Sequence, residues 1–210
     1  DAEPLLGVDR ENILFMGQSR GGHLIWELAC HNPELGSAWA VHAGGYNGPL
    51  PRRCKQPVKF LHAHGTADKI VRFGGMKNVG GGIDMPPLER SLALLRKTNG
   101  CDPRGESPTD TTGAFIRYQY SGCARDGALE LMLHRGGHNY PRNWFEVAID
   151  WFEAVNSGPG QLPVADPSQR GKSIRFQGTA SSGARIGTGS SGTRLNSSGS
   201  GSRFKSAPKN

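Results

Sequence analysis

Gly17-Gln18-Ser19-Arg20-Gly21-Gly22 lies between an apolar segment, residues 13–16, and a helix-like segment, residues 23–32. A short strand, a tight turn with serine at its apex and an amphipathic helix form the layout of a nucleophile elbow, in which a strained turn lifts a serine hydroxyl out of a sheet. Flanking glycines permit the sharp turn and the close approach of helix to strand. Because the chain contains 31 glycines, the G-x-S-x-G pattern is weak by itself, and the rest of the sequence must decide its meaning.

Strand-like and helix-like segments alternate through residues 10–156. Strands are predicted over residues 12–16, 37–43, 58–64, 115–120 and 129–134, and helices over 21–32, 88–97 and 144–155, with 74–87 as a loop rich in Gly and Pro. This alternation predicts an α/β fold with a mostly parallel sheet and flanking helices. Helical spacing turns four side chains inward in the first helix and four in the last: Leu24, Ile25, Leu28, Ala29 and Phe145, Ala148, Ile149, Phe152.

Two further polar residues follow predicted strands, in an order that matters chemically. Asp68 lies in the turn after the third strand, and His138 lies in Gly136-Gly137-His138, between the last strand and the last helix. If the sheet is parallel, both lie on the same rim as Ser19. Acyl transfer by serine needs a base for the hydroxyl proton, an acid that orients the base, and donors for the oxyanion. The chain order Ser, Asp, His is that of hydrolases built on an elbow.

Each candidate also has a purely structural interpretation. Ser19 can serve as the N-cap of the following helix, Asp68 as a turn or cap residue, and His138 as a loop histidine. The weaker rivals for the acid and the base are Asp84, Asp102, Asp126 and His134.

Other chemistry-bearing residues carry less information. His62 and His64 alternate onto one face of a strand, where polar packing is favoured over metal binding because no third ligand is evident. Arg20 is either an exposed residue at the start of a helix or a contact for an anionic substrate group. Four tryptophans are expected to pack rather than to form a sugar platform: Trp26, Trp39, Trp144 and Trp151.

The charge of the chain is divided unevenly. Residues 1–156 carry 17 Lys and Arg against 17 Asp and Glu, whereas residues 157–210 carry eight against Asp166 alone. The basic balance therefore gives no reason to expect that the body binds nucleic acid. The second segment is rich in Gly and Ser and lacks an apolar period, so a disordered tail is expected. A basic arm that contacts polyanions is the alternative.

The four cysteines, Cys30, Cys54, Cys101 and Cys123, all fall in the body and none forms a C-x-x-C pair. Zinc binding is therefore not expected. Four cysteines allow three pairings. The local pairings Cys30–Cys54 and Cys101–Cys123 are preferred because each joins the ends of adjacent elements, and free buried thiols stay the alternative. Paired cysteines would indicate an oxidising compartment.

Four separated motifs together resemble a known family. They are the elbow at residues 17–22, His64-Gly65-Thr66-Ala67-Asp68, Asn99-Gly100-Cys101 with Cys123, and Gly136-Gly137-His138-Asn139-Tyr140-Pro141. In this order they are similar to the polyhydroxybutyrate depolymerase and feruloyl or acetylxylan esterase group of α/β hydrolases. The resemblance covers about residues 10–155.

The resemblance implies a role for each motif. Ser19 would be the nucleophile, Asp68 the triad acid, His138 the general base, and the backbone N–H of Arg20 an oxyanion donor. It further implies a bridge between Cys101 and Cys123. Gln18, beside the nucleophile, and Tyr140, where the family usually has Trp, are the candidate substrate contacts.

The expectation is therefore a serine carboxylic-ester hydrolase that needs no cofactor. Its substrate would be a polyester or a plant-wall ester, and neither a membrane nor a nucleic acid is an expected partner. Nothing before residue 10 resembles the family's first strands or its His-Gly oxyanion loop, so residues 1–156 are interpreted as an N-terminally truncated catalytic domain. Secretion is expected, as for most members. The alternatives are a peptidase or lactone hydrolase on the same scaffold, and an inactive fragment or pseudoenzyme tethered by its basic tail.

Overall fold

The computed structural model describes residues 9–79, 83–103, 106–110 and 114–157. The expected tail therefore falls almost wholly outside the described residues. Within these ranges the regular elements are eight strands and three α-helices, with short 3-10 turns at Arg10–Asn12 and Pro33–Leu35. In chain order they are β1 Leu14–Gln18, α1 Arg20–His31, β2 Ala38–His42, β3 Lys59–Gly65, β4 Met76–Val79, β5 Ile83–Met85, α2 Leu88–Thr98, β6 Glu106–Asp110, β7 Ile116–Tyr120, β8 Ala128–His134 and α3 Trp144–Asn156.

Within the described ranges, six strands form one sheet in the order β1-β2-β3-β8-β7-β6. The pairs β1–β2, β2–β3 and β3–β8 are parallel, and β8–β7 and β7–β6 are antiparallel. The mostly parallel α/β sheet that the alternating pattern predicts is thus confirmed. Because β1, β2, β3 and β8 all run in one direction, the loops that follow them open at one rim of the sheet.

Alternate residues of the strands face two hydrophobic layers. Trp39 and Val41 of β2 pack with α1 and α2, whereas Ala38 and Ala40 pack with α3 on the opposite face. A sheet covered by helices on both faces buries its strands completely, and every residue of β2 is accordingly buried. The four tryptophans are at most 2% exposed, which confirms that they belong to the core.

The predicted inward faces of two helices were wrong in detail. In α1 the buried face includes Ile25, Trp26 and Ala29, whereas Leu24 is 58% exposed. In α3 the expected inward residues Phe145 and Ile149 are about half exposed, and three other positions are buried: Trp144, Ala148 and Trp151. Both helices are rotated because the tryptophans bury more apolar area than the competing side chains.

The segment predicted as a loop contains the two antiparallel strands β4 and β5. The short strand β6 was also not predicted. β4 and β6 lack the period-2 alternation of apolar side chains on which recognition of a strand depends, and β5 alternates over only three residues.

Two disulfides connect the cysteines in the preferred local pairings. Cys30 at the end of α1 bonds to Cys54, and Cys101 after α2 bonds to Cys123 in the turn between β7 and β8. Each bridge closes a loop of more than 20 residues, a constraint worth about 3 kcal/mol in the chain-entropy account. No helix of the described residues has the length and apolar character needed to cross a bilayer.

Candidate active site

Ser19 is the single residue between β1 and α1, and its backbone conformation is strained. Its φ of 53° and ψ of −117° lie in a region that non-glycine residues rarely adopt. Its backbone N–H donates to the carbonyl oxygen of His42, at the end of the neighbouring strand, over 3.0 Å. Its side chain makes no capping hydrogen bond to α1. The hydroxyl therefore does not have the structural role of a helix cap.

The two glycines of the G-x-S-x-G pattern differ in what they do. A Cβ on Gly17 would lie 2.6 Å from the carbonyl oxygen of Gly21 and 2.8 Å from Cδ1 of Ile25, so only glycine lets α1 come this close to β1. A Cβ on Gly21 would meet nothing within 4 Å. The close approach of helix to strand therefore depends on Gly17.

The loops after β3 and β8 are bound directly to each other. The N–H groups of Thr66 and Ala67 donate to the carbonyl oxygens of His134 and Gly136 over 2.8 and 3.1 Å. Gly65, the last residue of β3, makes the contact possible, because a Cβ there would collide with the backbone of the β8 loop. The parallel pairing of β3 with β8 thus continues beyond the strands and brings two distant sequence motifs together.

Asp68 and His138 form a hydrogen-bonded pair at this junction. Oδ2 of Asp68 lies 2.9 Å from Nδ1 of His138, while its Oδ1 accepts from the N–H groups of Ile70 and Val71 over 2.8 and 2.9 Å. Burial acts to raise the pKa of Asp68, but the hydrogen bonds from His138, Val71 and Ile70 outweigh it and lower that pKa below its ordinary value. The carboxylate is thus ionised and can only accept, so Nδ1 of His138 carries a proton in this contact and Nε2 is the ring nitrogen that points away from Asp68.

The nucleophile candidate and this pair share the rim but are not joined directly. Among the described residues no hydrogen bond connects the Ser19 hydroxyl to His138. The link runs through Gln18, whose side-chain amide donates to the carbonyl oxygen of His138 over 2.9 Å. Catalytic hydrogen bonds are often long in unliganded sites and shorten when substrate binds.

The remaining candidates lie around this arrangement. Gln18, expected to contact substrate, is hydrogen-bonded to the backbone of the His138 loop in this structure. Tyr140 is 38% exposed and meets the rings of His42 and Phe145 edge to face. Arg20 is exposed and begins α1, where the first backbone N–H groups of a helix lack intrahelical partners. These placements fit the expected roles and stay predictions.

The rival acids and base are placed elsewhere. Asp84 pairs with Lys77 across the β4–β5 hairpin, and neither Asp102 nor Asp126 contacts His138. His134 is buried, with its Nε2 2.9 Å from Nε2 of His42.

Sequence reasoning missed that His64 supports the Asp68 loop. Its Nε2 lies 2.8 Å from the carbonyl oxygen of Val71 and 3.7 Å from Oδ2 of Asp68. Because a carbonyl only accepts, Nε2 of His64 carries the proton, and its Nδ1 accepts from Nε2 of His62 at 3.1 Å. Burial lowers the pKa of both histidines. The i, i+4 spacing of His64 and Asp68 was the available signal.

His62 and His64 therefore pack as part of a polar network. Within the described ranges, no group of three or more His, Cys, Asp or Glu side chains is arranged to hold a metal ion.

The fold and the residues at this rim of the sheet together define the class of protein. A strained serine turn after a parallel strand, followed by an acid and a histidine at the ends of later strands of the same sheet, is the arrangement of the α/β-hydrolase fold. The chain has that fold.

Comparison with known proteins extends this assignment. No protein-family profile matches the chain. It is 29% identical over 135 residues to feruloyl esterase D of Neurospora crassa, covering 64% of this chain and 42% of that protein. It is 27% identical over 135 residues to a probable feruloyl esterase C of Aspergillus niger, covering 64% of this chain and 44% of that protein. The chain thus spans less than half the length of the curated relatives that it matches.

A solved structure, SOBER1 of Arabidopsis thaliana, superimposes with a TM-score of 0.47 at 17% identity, covering 74% of this chain and 58% of that one. Over these 135 residues the chain is thus similar in sequence to two fungal proteins that are named as feruloyl esterases.

Proposed function

We propose that the protein is a serine carboxylic-ester hydrolase. The observation that carries the proposal is the Asp68–His138 hydrogen bond of 2.9 Å, which engages Nδ1 of His138 and leaves its Nε2 to serve as the base on the rim that also bears the strained Ser19. An imidazole oriented by a carboxylate and a serine held in an elbow are the base and the nucleophile that acyl transfer needs.

The proposed reaction has two acyl-transfer steps. Ser19 Oγ attacks the ester carbonyl as its proton passes to Nε2 of His138, and the backbone N–H of Arg20 donates to the oxyanion. The C–O bond of the ester breaks, and the leaving alcohol takes the proton from His138. Water then gives a proton to the same nitrogen and attacks the acyl-enzyme, which releases the carboxylic acid and restores the serine. Asp68 holds the imidazole in the required tautomer throughout.

The relatives favour a substrate class. Both are called feruloyl esterases, so an ester of an aromatic acid from the plant wall is the first candidate, and a polyester is the second. We further propose that the protein is secreted, because its two disulfides suit an oxidising compartment.

The test compares the full chain with Ser19→Ala and with Ser121→Ala, an exposed serine in the β7–β8 turn. Each is assayed on methyl ferulate, p-nitrophenyl acetate, a hydroxybutyrate oligomer and a p-nitroanilide. Wild type and Ser121→Ala should hydrolyse the esters and take one fluorophosphonate group on Ser19, and Ser19→Ala should lose turnover by a factor of about 10⁴ or more.

Two results would overturn the proposal. Amide cleavage faster than ester cleavage would indicate a peptidase on the same scaffold. A chain folded by circular dichroism that takes no label on Ser19 and hydrolyses nothing would indicate a pseudoenzyme.

A further inference from the structure

A large basic groove lies beside the candidate site and is not used by the proposed reaction. Its volume is about 1240 Å³, and its lining begins at Lys69 and Ile70, the two residues that directly follow Asp68. Ser19, Asp68 and His138 are not among the lining residues. The groove therefore adjoins the triad rather than containing it.

Three segments from the active rim build this groove. One follows β2 (residues 48–50), one follows β3 (residues 69–77, continuing into β4), and the third is residues 84–90, which include the start of α2. The N–H of Gly48 donates to the carbonyl oxygen of Asp84 over 2.9 Å, and the N–H of Leu88 donates to that of Phe73 over 2.9 Å. The walls are thus hydrogen-bonded to each other and anchored to strands that carry the candidate catalytic residues.

The charged residues that line the groove are mostly basic. The described lining residues include four cations, Lys69, Arg72, Lys77 and Arg90, and one carboxylate, Asp84, although residues 1–156 as a whole are balanced. Asp84 forms an ion pair of 2.6 Å with Lys77. Within the part of the chain that the structure describes, Lys69, Arg72 and Arg90 enter no ion pair. A site with three cations that have no protein counterion is complementary to an anionic ligand.

The rest of the lining indicates what kind of anion fits. Leu50, Ile70 and Met85 supply an apolar wall, and Ile70 is 61% exposed. Among the described residues, the lining contains no aromatic ring on which a nucleobase would stack. Arginine recognises carboxylates through paired N–H donors.

We infer that this groove binds a carboxylate-bearing portion of the ester substrate, so that the preferred substrate is an ester attached to an acidic polysaccharide. The inference rests on the proposed function for its link to catalysis, but anion binding by the groove can be measured without turnover. A ligand that spans the groove would place its ester next to the Asp68 loop.

The experiment measures direct binding of an oligogalacturonate to the full chain by calorimetry, with a neutral malto-oligosaccharide of the same length and a single-stranded DNA as comparisons. The variant Arg72→Gln/Arg90→Gln removes two groove cations. Arg125→Gln is the matched control, because this exposed arginine precedes β8 at the opposite rim of the sheet.

The oligogalacturonate should bind more tightly than the neutral oligomer, and more weakly as salt is raised. The double variant should bind it roughly three- to tenfold more weakly, as expected for two partly exposed ion contacts, and Arg125→Gln should bind like wild type.

Three outcomes would overturn the inference. Equal weakening by Arg125→Gln would mean diffuse attraction, and no weakening in the double variant would place binding elsewhere on the chain, for example in basic residues 157–210. Tighter binding of the DNA through the same arginines would identify a different class of ligand. Groove-dependent binding without any ester hydrolysis would retain the anion site and reject the esterase.

Discussion

Acid should destabilise this protein through a buried histidine at the end of β2. His42 is fully buried, and its Nε2 contacts that of His134. Burial is the main cause that lowers the pKa of His42 to about 3, and the neighbouring His134, His64 and His138 lower it further, while Asp68 opposes them. In the unfolded chain the pKa of a histidine is about 6.5.

The sign and size of the effect follow from these two values. Between pH 6.5 and 3 the unfolded chain binds a proton that native His42 does not, so the free energy of unfolding falls as the pH is lowered through this window. At pH 5, about one and a half units below the unfolded pKa, the loss from this one side chain is about 2 kcal/mol.

The assay is urea unfolding followed by tryptophan fluorescence at about pH 7.5 and pH 5, with disulfides intact. Wild type is compared with His42→Gln and His42→Phe. Both replacements are expected to cost stability at neutral pH because the site is tightly packed, but this cost cancels when each variant is compared with itself at the two pH values. The loss between the two pH values should be smaller by about 2 kcal/mol in each variant.

Retention of the full acid loss by both variants would refute the reasoning. So would an NMR titration showing that native His42 takes up a proton near pH 6.5, which would mean that His42 and His134 share a proton rather than stay neutral.

Three further predictions concern the candidate active site, the glycines beside Ser19 and one disulfide. Asp68→Asn should lower kcat on an ester by about 10⁴ with little change in KM, because the wrong imidazole tautomer is then held; unchanged kcat in a stopped-flow assay would remove this residue from the triad. Gly17→Ala should lower the free energy of unfolding in urea by about 1–3 kcal/mol because its Cβ would meet backbone atoms. Gly21→Ala is the control: its Cβ would meet nothing within 4 Å, so this variant should be neutral or slightly stabilising. Equal losses in the two variants would contradict the steric argument. Replacing Cys101 and Cys123 by serine should lower stability by about 3 kcal/mol, and an unchanged thermal midpoint would show that this bridge constrains little.

Much of the fold was predictable because it depends on local patterns. The alternation of strands with amphipathic helices determined the parallel α/β sheet, and the order Ser19, Asp68, His138 followed from where polar residues interrupt it. The phase of α1 and α3 was not predictable in the same way. Leu24 and Ile149 satisfy a helical period as well as the buried residues do, and only contact with the sheet decides which face the tryptophans occupy.

The sequence by itself determined the helices, the five longer strands, the parallel sheet and the candidate chemistry of the stretch around Ser19. The tertiary structure decided which side chains meet. It brought Asp68 rather than Asp84 to His138, because the loops after β3 and β8 are neighbours across a sheet whose order differs from chain order. It also placed His64 behind Asp68 and gathered Lys69, Arg72 and Arg90 around one groove. The contact between Asp68 and His138 joins residues 70 positions apart in the chain, and no local spacing encodes it.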